Sequence, residues 1–115
     1  FGVEIMKRAD IIIVGGGAAG LSAALAAAKH LRNVDKNQTV LLLEGNDRVG
    51  KKILATGNGR CNLSNQTIRE EDYFGERQQI TRILAVYGTR QIQEVFADIG
   101  LLCRTDPEGR IYPNH

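Results

Sequence analysis

Cysteine is scarce and unpatterned. Cys61 and Cys103 belong to no C-x-x-C pair, and the two histidines form no cluster with them. Such a chain lacks the spacing of a zinc site or a disulfide scaffold, and fits a reducing compartment. An excess of one charge is also missing. Fifteen Lys and Arg stand against thirteen Asp and Glu, a net charge of +2, spread too evenly for a nucleic-acid surface. No internal repeat and no low-complexity segment occurs. A clean hydrophobic span is absent too. Lys7-Arg8 followed by the apolar run from Ile11 to Ala28 imitates a signal peptide or membrane helix. Yet Asp10 interrupts the basic start, and Gly15-Gly16-Gly17 falls mid-run, where each glycine weakens a helix by about 1 kcal/mol. The expectation is a cytoplasmic protein without a membrane anchor. With 115 residues there is room for one domain. Phe1 at the start, Met6 as a natural initiator and an end at His115 without a closing element suggest an incomplete fold.

The chain is organised around residues 10–28. Ile11-Ile12-Ile13-Val14 reads as a fully buried parallel strand. Gly15, Gly17 and Gly20 follow at G-x-G-x-x-G spacing, and an Ala- and Leu-rich helix runs from Ala18 to Arg32. Strand, glycine turn and helix open a βαβ dinucleotide-binding unit of the Rossmann type, an α/β fold. Gly15 turns the chain, Gly17 admits a pyrophosphate to the backbone, and Gly20 lets helix and strand pack closely. The ligand phosphates would meet N–H groups at the positive end of the helix, around Ala18 and Ala19. A second strand over 39–43 ends in Glu44, a little over twenty residues past Gly20. A carboxylate there accepts from ribose hydroxyls and repels a 2′-phosphate. A parallel sheet of two strands covers neither face fully, so the complete domain needs more chain.

Later segments read as support. Ile80, Ile83, Leu84 and Tyr87 form one helical stripe, and Ile92, Val95, Phe96 and Ile99 a second, both expected to be core. Gly88 separates them, Thr89 is expected to cap the second helix, and Gly100 to follow its end. Residues 101–105 and 110–112 read as strands joined by the turn Asp106-Pro107-Glu108-Gly109.

Residues 50–65 have neither helical nor alternating period. Lys51, Lys52 and Arg60 supply cations near the expected pyrophosphate. Gly57 and Gly59 free backbone N–H groups to face a ligand. Asn58, Asn62 and Asn65 both donate and accept, which suits a heterocycle.

Together the glycine turn, Glu44, the stretch from Gly50-Lys51-Lys52 through Thr56-Gly57-Asn58-Gly59-Arg60-Cys61-Asn62 to Asn65, and Gly109-Arg110-Ile111-Tyr112-Pro113 resemble the BaiN-type NAD(P)/FAD-dependent oxidoreductases. The resemblance spans most of the chain. It implies that residues 1–115 are the N-terminal portion of an FAD-binding domain, holding the ADP half of FAD, with the Gly59-Arg60-Cys61-Asn62 loop along the cofactor. It implies an oxidoreductase acting on a small molecule through flavin, with NAD(P)H as a candidate donor. Lys51 stands where many members carry Arg, which keeps the charge but loses the bidentate fork. No side chain stands out as a general acid or base. A non-catalytic dinucleotide-binding module and a plain NAD domain are alternatives. A flavin disulfide reductase is a weaker one, since Cys61 is followed at C-x-x-x-x-C spacing by Gln66.

Overall fold

The β-branched run forms strand β1, Ile11–Val14. It pairs in parallel with β2, Val40–Leu43, in the register Ile11 to Val40 and Val14 to Leu43. Asp10 helps set that register: its Oδ2 accepts from Thr39 N at 2.8 Å and Thr39 Oγ1 at 3.2 Å. Between the strands runs helix α1, Ala18–Val34, two residues longer than its expected end. It stops where Asp35 turns extended, with Asp35 N donating to Leu31 O at 2.8 Å. The computed structural model describes residues 7–114. They fall into two compact units, one up to Leu54 and one from Ala55. Phe1, Met6 and His115 lie outside the described residues.

In the first unit α1 packs on both strands, and Leu31 is its buried residue. The expectation of a fully buried β1 is corrected. Side chains alternate across a sheet, so Ile11 and Ile13 are half-buried while Ile12 and Val14 are 56% and 83% exposed. One helix covers one face only.

In the second unit strand β3, Ser64–Asn65, helices α2, Arg77–Val86, and α3, Thr89–Asp98, precede strands β4, Cys103–Thr105, and β5, Arg110–Pro113. The sheet is antiparallel with β5 between β3 and β4. The central strand supplies the core residues Ile111 and Tyr112. Its hairpin turn is knotted by one carboxylate. Asp106 Oδ1 accepts from Glu108 N and Arg110 N, and Asp106 Oδ2 takes Arg110 Nε at 2.8 Å. Burial pushes the Asp106 carboxyl up, but these Arg110 and Glu108 bonds outweigh it and hold the group below the usual range.

Glu76 caps α2, accepting from Gln78 N and Gln79 N. Two helical expectations change. The N-cap of α3 is Gly88, not Thr89, whose hydroxyl instead donates to Asn65 O at 2.6 Å and fastens the helix to β3. Only part of each apolar stripe is covered: Ile83, Tyr87 and Ile99 are more than half exposed. Gly100 does follow the end of α3, at φ +84°. Among the described residues no helix is long and apolar enough to cross a membrane.

Candidate functional site

The glycine turn is built by two hydrogen bonds and one close backbone approach. Gly15 N donates to Leu43 O at 2.7 Å, which ends the β1–β2 ladder and carries Gly15 into a left-handed turn at φ +100°. Leu21 N donates to Gly17 O at 2.9 Å, the first bond of α1. A Cβ on Gly20 would run into the carbonyl oxygen of Gly15. Gly20 is therefore required by the fold itself, at the point where helix meets strand end.

Gly17 differs. Its φ is −79°, and a Cβ there would meet nothing within 4 Å. Among the described residues nothing demands a glycine at that position. Gly17 is also the N-cap of a seventeen-residue helix, and no side chain caps the first turn there. The leading N–H groups of a helix have no intrahelical acceptor. Behind Gly17 stand the amides of Ala18, Ala19 and Gly20, with no acidic residue in that turn. Open space plus uncapped donors make a cradle suited to an anion.

Glu44 sits at the end of β2, half-buried, and reaches that turn: its Oε2 accepts from Gly16 N at 2.8 Å. Its Oε1 accepts from Asn46 N and Asn46 Nδ2, each at 2.8 Å. The Asn46 backbone N–H, then Gly16 N–H, then the Asn46 amide hold the Glu44 carboxyl below the usual carboxylate range. It is an anion across neutral pH.

Gly16 is a site residue that the fingerprint spacing passes over. Its N–H meets Glu44, its carbonyl accepts from Gly50 N at 2.7 Å, and a Cβ would press on Val49 Cγ1 at 2.7 Å and Glu44 Oε2 at 2.9 Å. The signal was present: glycine fills an "x" position of G-x-G-x-x-G, so three glycines stand in a row. Lys51 and Lys52 follow within the same unit and are exposed. Lys51 Nζ pairs with Asp47 at 3.1 Å, so its charge is partly spent on a neighbour.

The other expected site residues lie in the second unit, in one loop. Gly57, Asn58, Gly59 and Cys61 all have positive φ, between +55° and +80°. For Asn58 and Cys61 this is strained backbone. The loop closes on itself through Cys61 N to Thr56 O at 3.0 Å and Arg60 N to Gly57 O at 3.1 Å. Tyr112 fixes it from below. The Arg60 guanidinium lies 4.7 Å from the Tyr112 ring centroid, and a Cβ on Gly57 would come within 3.1 Å of that ring. Tyr112 thus joins the loop residues as support, which sequence spacing alone does not display. Asn62 is exposed and borders an open groove of about 560 Å³ with Ser64, Asn65, Arg69 and Tyr73. Cys61 and Cys103 are free thiols, both half-buried, and burial pushes the Cys103 thiol up, away from thiolate chemistry.

Parallel strands joined by a helix, with a glycine turn at the carboxyl end of β1 and an acid at the end of β2, define a Rossmann-type nucleotide-binding domain. Residues 9–115 match the model of the HI0933-like protein Rossmann domain, and the chain belongs to that family. It is 44% identical over 102 residues to the 3-dehydro-bile acid delta(4,6)-reductase of Clostridium scindens, covering 88% of this chain and 24% of that protein. It is 37% identical over 71 residues to the ribosomal RNA dihydrouridine synthase of Escherichia coli, covering 62% of this chain and 16% of that protein. The corresponding synthase of Haemophilus influenzae is 28% identical over 107 residues, 92% of this chain and 25% of that protein. The chain therefore spans a quarter or less of the curated relatives it matches.

Proposed function

We propose that this chain is the N-terminal portion of an FAD-binding domain, and that the protein it belongs to reduces an electron-poor carbon–carbon double bond. The observation that carries the reading is the turn at Gly17: a helix start with open space, no side-chain cap and an ionised acid beside it. Those features suit a dinucleotide. Gly15, Gly17, Ala18, Ala19 and Gly20 would receive the pyrophosphate on backbone N–H groups, with Lys51 and Lys52 as nearby cations. Glu44 would accept from the adenosine ribose, and its charge disfavours a 2′-phosphate there. Gly57, Gly59, Arg60, Cys61 and Asn62 would lie along the cofactor. Bound FAD supplies hydride chemistry; this chain's own part is to hold and orient it.

The substrate class comes from the relatives. A delta(4,6)-reductase of a 3-oxo steroid acid and a dihydrouridine synthase share one bond change, hydrogen added across a C=C conjugated to a carbonyl. NAD(P)H as donor, a small-molecule substrate and a cytoplasmic site of action belong to the same proposal. The test is the absorbance of the full-length protein. It should show an oxidised flavin band that bleaches anaerobically with NADH or NADPH and returns on adding a conjugated enone. A colourless protein, or flavin that no nicotinamide bleaches, would contradict it.

A further inference from the structure

The Glu44 carboxylate already receives three hydrogen bonds within its own unit. Gly16 N reaches Oε2, and Asn46 N and Asn46 Nδ2 both reach Oε1, all at 2.8 Å. An ionised carboxylate offers about four lone-pair positions; these three bonds, with a weaker pull from the Gly45 N–H, leave room for about one donor from a ligand. Asn46 itself is exposed on a loop, packs on no core and meets Glu44 through two donors. With Nδ2 committed to Glu44, the amide has a fixed orientation.

We propose that Asn46 is a positioning residue for dinucleotide recognition: it clamps Glu44 Oε1 so that the carboxylate stays against the Gly16 amide and keeps one acceptor for a ribose hydroxyl. The inference rests on the dinucleotide reading above. Without the clamp, Gly16 N alone holds Glu44, a half-buried side chain with three rotatable bonds, and a ribose would have to bear more of the entropy of fixing it. The Asn46 donors also stabilise the anion, together with Gly16. Protonation would turn one acceptor position of the carboxyl into a donor, so the anion is the form that accepts from Gly16, Asn46 and a ribose together.

The experiment titrates FAD into the full-length apoprotein by flavin fluorescence, from mildly acid to mildly alkaline pH. Asn46→Ala should bind about fivefold more weakly, the size expected when binding has to fix part of one glutamate side chain. Asn46→Asp places a second carboxylate where Nδ2 stood. It should bind worse still at alkaline pH and regain affinity as pH falls, because adjacent carboxylates come to share one proton. Wild type should show no such gain. A residue acting through Glu44 has nothing to act on once Glu44 is gone, so Glu44→Ala/Asn46→Ala should bind as Glu44→Ala does. Unchanged affinity in Asn46→Ala, or an equal loss on the Glu44→Ala background, overturns the positioning role alone. A wild-type protein that binds no FAD overturns the dinucleotide reading, and this inference with it.

Discussion

Gly20 and Gly17 sit three residues apart, yet alanine should affect them differently, one in stability and the other in ligand binding. At Gly20 the added methyl would overlap the carbonyl oxygen of Gly15. Gly15 holds φ +100° and is tied to Leu43 at 2.7 Å, so the turn has little room to retreat. Overpacking of this kind costs roughly 1–3 kcal/mol, here at the upper end because the obstacle is backbone. Alanine returns about 1 kcal/mol as a better helix former, leaving a net loss of about 2 kcal/mol. At Gly17 the methyl enters open space at φ −79°. The cost is that of a poorer N-cap, under about 1 kcal/mol. Urea denaturation of the full-length proteins without added flavin measures both. Flavin titration then separates them again: Gly17→Ala should stay folded and lose FAD affinity, since the methyl stands where a pyrophosphate would approach. Equal destabilisation by the two substitutions, or a neutral Gly20→Ala, would refute this account of the turn.

Other outcomes follow from named contacts. Glu44→Ala should weaken FAD binding about tenfold or more, read by flavin titration. The native Glu44 carboxyl titrates below its usual range, so its contribution is full above the ordinary carboxylate pKa and fades as pH falls through the lowered one. Tyr112 is 3% exposed beneath Arg60 and Gly57, so Tyr112→Ala should cost about 3–5 kcal/mol by denaturation. Cys61→Ser should leave bound flavin reducible and reoxidisable in stopped flow. Normal reduction with lost reoxidation, plus a thiolate–flavin charge-transfer band in wild type, would make Cys61 a redox centre and revive the disulfide-reductase alternative.

What the sequence displays well is local. Glycine spacing, the acid ending β2 and the Asp-Pro-Glu-Gly turn each constrain a few adjacent residues, and each stands where its spacing places it. Contacts between distant positions are a different matter. Gly16 to Glu44 spans 28 residues, and Thr89 to Asn65 spans 24. Thr89 reads as a cap because capping is the commonest local use of a threonine before a helix, yet its hydroxyl donates to the Asn65 carbonyl on β3 and accepts nothing from the first turn. Cys61 at φ +57° has no sequence mark, since left-handed backbone is announced only by glycine or asparagine. The helical stripes report which faces are apolar. They do not report which half of each face is covered.

The most direct test is the nucleotide released when the purified full-length protein is denatured, identified and counted by chromatography. An ADP-holding turn predicts FAD at close to one per chain in wild type, and little in Gly17→Ala purified alongside. FMN in place of FAD, or FAD retained in full by the Gly17→Ala protein, would contradict the assignment of this turn to the dinucleotide.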